Sequence, residues 1–171
     1  MKFKYSMYID EMKKLIDDAL DKINRENPEF EIYTVSIWTD ANAAASAINF
    51  DKKSNSDIKC RKSNEFNEEQ KKYWTSRGDI EMAKLFEPQT GRNCNPADFH
   101  LRNFSTIKNR SVPSRWEERT DGKCWTELEP ALKEVGEYTF QKMTAAKVRS
   151  DLEVGVNGKL DWYQFTWAKV K

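Results

Sequence analysis

Residues 30–38 read Phe-Glu-Ile-Tyr-Thr-Val-Ser-Ile-Trp and carry bulk on both faces of an extended segment. Alternation puts Ile32, Thr34, Ser36 and Trp38 on one side and Tyr33, Val35 and Ile37 on the other, since successive strand side chains point to opposite faces. Such a segment is favourable only when both faces are covered, which predicts a central strand rather than an edge. The surrounding sequence must therefore supply layers for it.

The preceding residues supply one. Tyr8, Ile9, Met12, Leu15, Ile16, Ala19, Leu20 and Ile23 recur at helical spacing, with Asp, Glu and Lys between them, which predicts an amphipathic helix over 8–26. Asn27-Pro28 ends it, because proline disfavours the α region for the residue before it. After the strand, Thr39-Asp40-Ala41-Asn42 reads as a turn and Ala43–Phe50 as a second, small-residue strand. So short a link cannot hold a parallel crossover, so the pair is read as a hairpin. A short helix over 41–47 is the alternative, given its alanines.

Residues 51–66 are mostly polar and read as loop. Asn67 is a candidate N-cap for a helix carrying Tyr73 and Trp74, interrupted at Gly78 and resumed over Ile80–Phe86. Ala97, Phe99 and Leu101 alternate with polar neighbours and suggest a short strand, with His100 on its other face. Residues 111–122 read as irregular. Leu128, Leu132, Val135, Tyr138, Thr139, Met143 and Ala146 then keep helical spacing, predicting a long helix over 127–148 with Thr126 as N-cap and Pro130 near its first turn. Leu152, Val154 and Val156 alternate like a strand, and Asn157-Gly158 is a two-residue hairpin signal. The tail after it, with Trp162, Phe165 and Trp167, is compatible with strand or helix. The sum is one α+β domain over 1–171: a mostly antiparallel sheet with an N-terminal helix and a long late helix packed on it.

Composition narrows function more by exclusion than by signature. No apolar run approaches the ~20 residues needed to cross a bilayer, and no apolar segment follows the basic start, as a signal peptide requires. A cytoplasmic protein is expected. Cys60, Cys94 and Cys124 are odd in number and lack CxxC spacing, so neither a disulfide framework nor a zinc site is indicated. His100 is the single imidazole. With Cys94 it could form a nucleophilic pair only if the chain turned back at Asn95-Pro96; a histidine bonded to the backbone is the simpler reading. The carboxylates at Glu65, Glu68, Glu69, Asp79, Glu81 and Glu87 lack calcium-loop spacing and suit solvated helix faces. No enzyme, metal or cofactor is expected.

The formal net charge is +1. Residues 51–120 hold 15 Lys/Arg against 11 Asp/Glu, so the middle is mildly basic. Lys52, Lys53, Lys59, Arg61, Lys62, Lys71 and Lys72 beside Tyr73 and Trp74 could form a nucleic-acid surface, although Glu65, Glu68 and Glu69 interleave with them. A chain rich in aromatic anchors and poor in reactive groups fits a binding protein better. Trp38, Trp125, Trp162 and Trp167 lie in or beside regular elements and are read as core. Trp116, flanked by Arg115, Glu117 and Glu118, has the composition of a protein–protein hot spot, with Trp74 and Arg92 as secondary candidates. A tryptophan capping the core from a loop is the competing reading of Trp116.

The order of elements resembles a group of small bacterial proteins found among the immunity proteins of toxin systems, including contact-dependent growth inhibition. The likeness runs from about residue 8 to the end. It rests on the N-terminal amphipathic helix leading through Asn27-Pro28 into Ile32–Asp40, the small-residue strand Ala43–Asn49, an aromatic middle, the long late helix and the closing Glu153-Val-Gly-Val-Asn157. The resemblance implies a cytosolic protein that neutralises a cognate toxin, specifically its C-terminal toxin domain, by binding it. Many such proteins are acidic, to complement basic nucleases; this chain is near neutral.

Overall fold

The computed structural model describes residues 2–143 and 147–168. Its class is the one expected: α+β, with a mostly antiparallel five-stranded sheet. Within the span read as one domain, the chain packs as two compact units, one formed by residues up to Lys52 and from Cys94 onward, the other by Lys53–Asn93.

In the first unit, helix α1 (Tyr5–Glu26) buries the whole predicted stripe from Tyr8 to Ile23. Strands β1 (Ile32–Thr39) and β2 (Ala45–Asp51) form the expected hairpin, with Val35 opposite Phe50 and Ile37 opposite Ile48. The short-helix alternative over 41–47 does not occur. On its other side β1 pairs in parallel with β4 (Val148–Val156), so that Val35 meets Val154 and Ile37 meets Val156. β3 (Leu101–Lys108) and β5 (Phe165–Ala168) are the two edges, giving the order β3-β2-β1-β4-β5. β1 is the central strand, as its two bulky faces demanded. The apolar row Val35–Ile37, Ile48–Phe50 and Leu152–Val156 joins α1 and the late helix α5 (Cys124–Met143) in one core. A 3₁₀ turn, Pro96–Asp98, precedes β3, and a short helix α4, Trp116–Thr120, precedes α5.

The face of β1 and β2 bearing Thr34, Ser36, Asn49 and Asp51 is buried but polar. Two of these side chains bond the irregular β3 edge: Asn49 Oδ1 accepts from the Asn103 N–H at 2.8 Å and Asp51 Oδ1 from the His100 N–H at 3.1 Å. They satisfy backbone groups that a bulged ladder leaves open.

The second unit is a helical arm of α2 (Lys53–Ser76) and α3 (Ile80–Lys84). The loop expected over 51–66 is thus helix. No glycine or proline interrupts residues 53–77, and Lys53–Asp57, Arg61–Glu65 and Glu68–Lys72 fall four apart as ion pairs, the spacing that supports a helix lacking an apolar stripe. Asn67, expected as an N-cap, lies inside α2 and its Nδ2 donates to the Glu87 carbonyl at 2.8 Å. Gly78, at φ +77°, ends α2 as expected.

Other boundaries move for local reasons. Asn95 caps the Pro96 turn by accepting from the Ala97 N–H at 3.1 Å, so the strand expected at 97–101 begins only at Leu101. α5 starts at Cys124 rather than beyond Thr126, which places Pro130 in its second turn. Of the helix expected to 148, Ala146 lies outside the described residues, and Val148 already belongs to β4.

Candidate partner-binding surface

The hairpin predicted at Asn157-Gly158 is real, but its turn is not two residues long. Val156 pairs with Phe165, leaving an eight-residue loop, 157–164. The reason is the fate of Asn157, which does not enter a turn position. Its Oδ1 accepts from the Thr39 N–H at 2.8 Å and its Nδ2 donates to the Thr39 carbonyl at 2.9 Å. The buried amide extends the β1–β4 ladder by imitating a peptide unit. The Gly158 N–H then donates to the Asp161 carbonyl at 2.9 Å, and the Tyr163 N–H to Asp161 Oδ1 at 3.0 Å. Tyr163 lays its ring over Gly155, where any Cβ would collide with it.

A loop so fastened holds two apolar side chains out. Leu160 is 90% exposed and Trp162 is 55% exposed. Two grooves open beside it. One, of about 320 Å³, runs from Asp121 and Gly122 past Trp125 and Glu129 to Phe165. The other, of about 260 Å³, lies at the carboxyl ends of the parallel strands β1 and β4, between Trp38, Glu117, Trp125, Asp161 and Trp162. Trp125, Gly158, Lys159 and Leu160 wall both.

The expected site residues are distributed unevenly about this surface. Trp116 is a correction: it is 4% exposed, belongs to the core and meets the Phe3 ring at a centroid distance of 4.7 Å. The core-capping reading holds for it, since α4 is drawn inward by α1: Glu11 accepts from the Arg110 N–H at 3.0 Å and from Ser111 Oγ at 2.6 Å just before it. Arg115 and Glu118 stay exposed and pair with each other. Glu117, half-buried, reaches the second groove. Trp74 and Arg92 belong to the helical arm: Trp74 is half-buried against Tyr73, and the Arg92 carbonyl accepts from Gln89 Nε2 at 2.9 Å.

The reading of Trp162 and Trp38 as core is corrected as well, for both reach solvent at the second groove. Their lining role was hidden by the Asn157-Gly158 signal, which predicts a turn too tight to present a side chain at 160 or 162. His100 is exposed, with its ring 5.7 Å from that of Phe30. Among the described residues no cluster of three or more His, Cys, Asp or Glu could hold a metal ion, and no helix is long and apolar enough to cross a membrane.

The chain matches no protein-family model, and neither a curated protein nor a solved structure is significantly similar to it.

Proposed function

We propose that this chain is a binding protein that acts in the cytoplasm as an antitoxin-like immunity protein, covering a cognate toxin domain and performing no catalysis itself. One observation carries the binding reading. Leu160 and Trp162 project from a loop whose backbone is pinned by Asn157, Asp161 and Tyr163. A preordered apolar anchor loses little entropy on association. An exposed tryptophan beside a groove, rimmed by Glu117, Lys159 and Asp161, has the anatomy of an interface hot spot. The resemblance of element order supplies the class of partner.

The alternative, a nucleic-acid-binding module, has less to stand on. Arg61, Lys71 and Lys72 in the basic middle each pair with a carboxylate, Glu65, Glu87 and Glu68 respectively. Cations engaged in this way release fewer counterions from phosphate.

The test is growth protection in bacteria. The C-terminal domain encoded by the reading frame immediately upstream is expressed alone and together with this chain. Arrested growth in the first case, with rescue and co-purification in the second, is the expected result. A harmless upstream domain, or killing that this chain does not relieve, would overturn the immunity reading.

A further inference from the structure

The groove between β1 and β4 has a chemistry of its own. Three indoles, Trp38, Trp125 and Trp162, and two carboxylates, Glu117 and Asp161, line it, with Lys159 as the one cation among the described lining residues. The Lys159 ammonium lies against Gly122, which walls the first groove and not the second. Neither carboxylate forms an ion pair among the described residues; Asp161 is occupied only by the Tyr163 N–H. Trp125, the most enclosed of the three indoles, is 8% exposed.

We propose that this groove seats one basic side chain of a protein partner, an arginine or lysine. Indole faces attract cations, most strongly when water is excluded. Glu117 and Asp161 supply the charge-assisted hydrogen bonds that fix such a cation. At about 260 Å³ the groove falls below the ~300 Å³ at which pockets begin to take drug-sized molecules, which suits a single side chain. The inference rests on the protein-binding reading above and deepens it by naming what the surface grips.

The whole chain, labelled with ¹⁵N, is titrated with N-acetyl-arginine amide while the tryptophan indole N–H resonances are followed, each assigned by a single Trp→Phe variant. The Trp125 and Trp162 signals should shift saturably. The neutral isostere N-acetyl-citrulline amide should bind at least about tenfold more weakly, the scale of one hydrogen bond to a charged group. Glu117→Gln should weaken the arginine probe by a similar factor, and Asp161→Asn gives the same test should Glu117→Gln fail to fold. Free L-arginine should bind no better than the blocked form. No saturable shift, equal binding of citrulline, or free arginine binding more than tenfold tighter would each overturn the proposal, the last by making this a small-molecule site. The probe involves no toxin, so a negative result leaves growth protection standing. Charge-selective shifts without growth protection would sink the immunity reading alone.

Discussion

The two units of this protein use the same device at different depths. In the sheet unit, the Asn157 amide clamps the N–H and carbonyl of Thr39 in a fully buried setting. In the helical arm, the Asn64 amide clamps Gln89 in the same way, Oδ1 to its N–H at 2.7 Å and Nδ2 to its carbonyl at 3.1 Å, but only partly buried. The contrast extends to everything around them. The sheet unit closes a core in which Tyr8, Phe50, Leu128, Leu132 and Leu152 are essentially inaccessible. α2, 24 residues long, buries only Ser56 and leaves Ile58, Phe66 and Tyr73 exposed. One unit is held by apolar burial, which dominates folding free energy. The other is held by surface ion pairs and side-chain amides, each a small contribution. Equal hydrogen bonds thus carry unequal consequences, because water can replace those of Asn64 and cannot replace those of Asn157.

The strongest attempt to break this contrast is Phe50→Ala. The ring fills the core beside Val35 and Phe104, and its removal should cost about 3–5 kcal/mol in denaturant unfolding. A loss below about 1 kcal/mol would mean the sheet unit is not organised by its core.

Next in size is the alkaline limit set by Tyr8. Burial pushes its hydroxyl from 10.0 up to about 12, against the opposing hydrogen bonds from Thr39 and Ser46. The folded chain therefore holds this proton more tightly than the unfolded chain. Its contribution is fully present below pH 10 and is lost as pH rises from 10 through 12, by roughly 3 kcal/mol in total. Tyr8→Phe should lose less stability over that window than the parent, as read by thermal melts at stepped pH. Identical pH profiles would contradict the buried, neutral Tyr8.

The asparagine pair sharpens the comparison directly. Asn157→Ala leaves two buried backbone groups of Thr39 open and should cost about 2 kcal/mol, whereas Asn64→Ala should cost no more than about 1 kcal/mol. Hydrogen exchange at the Thr39 and Gln89 amides reports each clamp separately, and equal effects would remove the distinction. Smallest of all is Lys72→Ala, which breaks an exposed pair with Glu68 of 2.6 Å and should change stability by less than about 0.5 kcal/mol.

Much of the sheet unit was legible because burial writes periodicity into sequence. The stripe from Tyr8 to Ile23 and the two-faced run Ile32–Trp38 each allowed one outcome, and both occur. α2 was not legible in its first half because no apolar side chain in it is buried: residues 53–66 fold as helix through charge spacing and the absence of breakers, signals far weaker than an apolar stripe. The candidate surface was only half visible. Glu117 was found through its neighbour Trp116, although Trp116 itself turned inward onto Phe3. Leu160 and Trp162 were missed because Asn157 bonds across the sheet to a strand 118 positions away in sequence, a long-range choice that no local turn rule contains.

That loop is the proposed grip on the partner. The direct measurement is growth protection by the double variant Leu160→Ala, Trp162→Ala, beside the parent chain and with melting temperatures measured in parallel. Both side chains are largely exposed, so the melting temperature should change little. Protection and co-purification should be lost, in line with more than about 2 kcal/mol of binding energy at a hot spot. A folded double variant that protects as well as the parent would contradict the assignment of this surface.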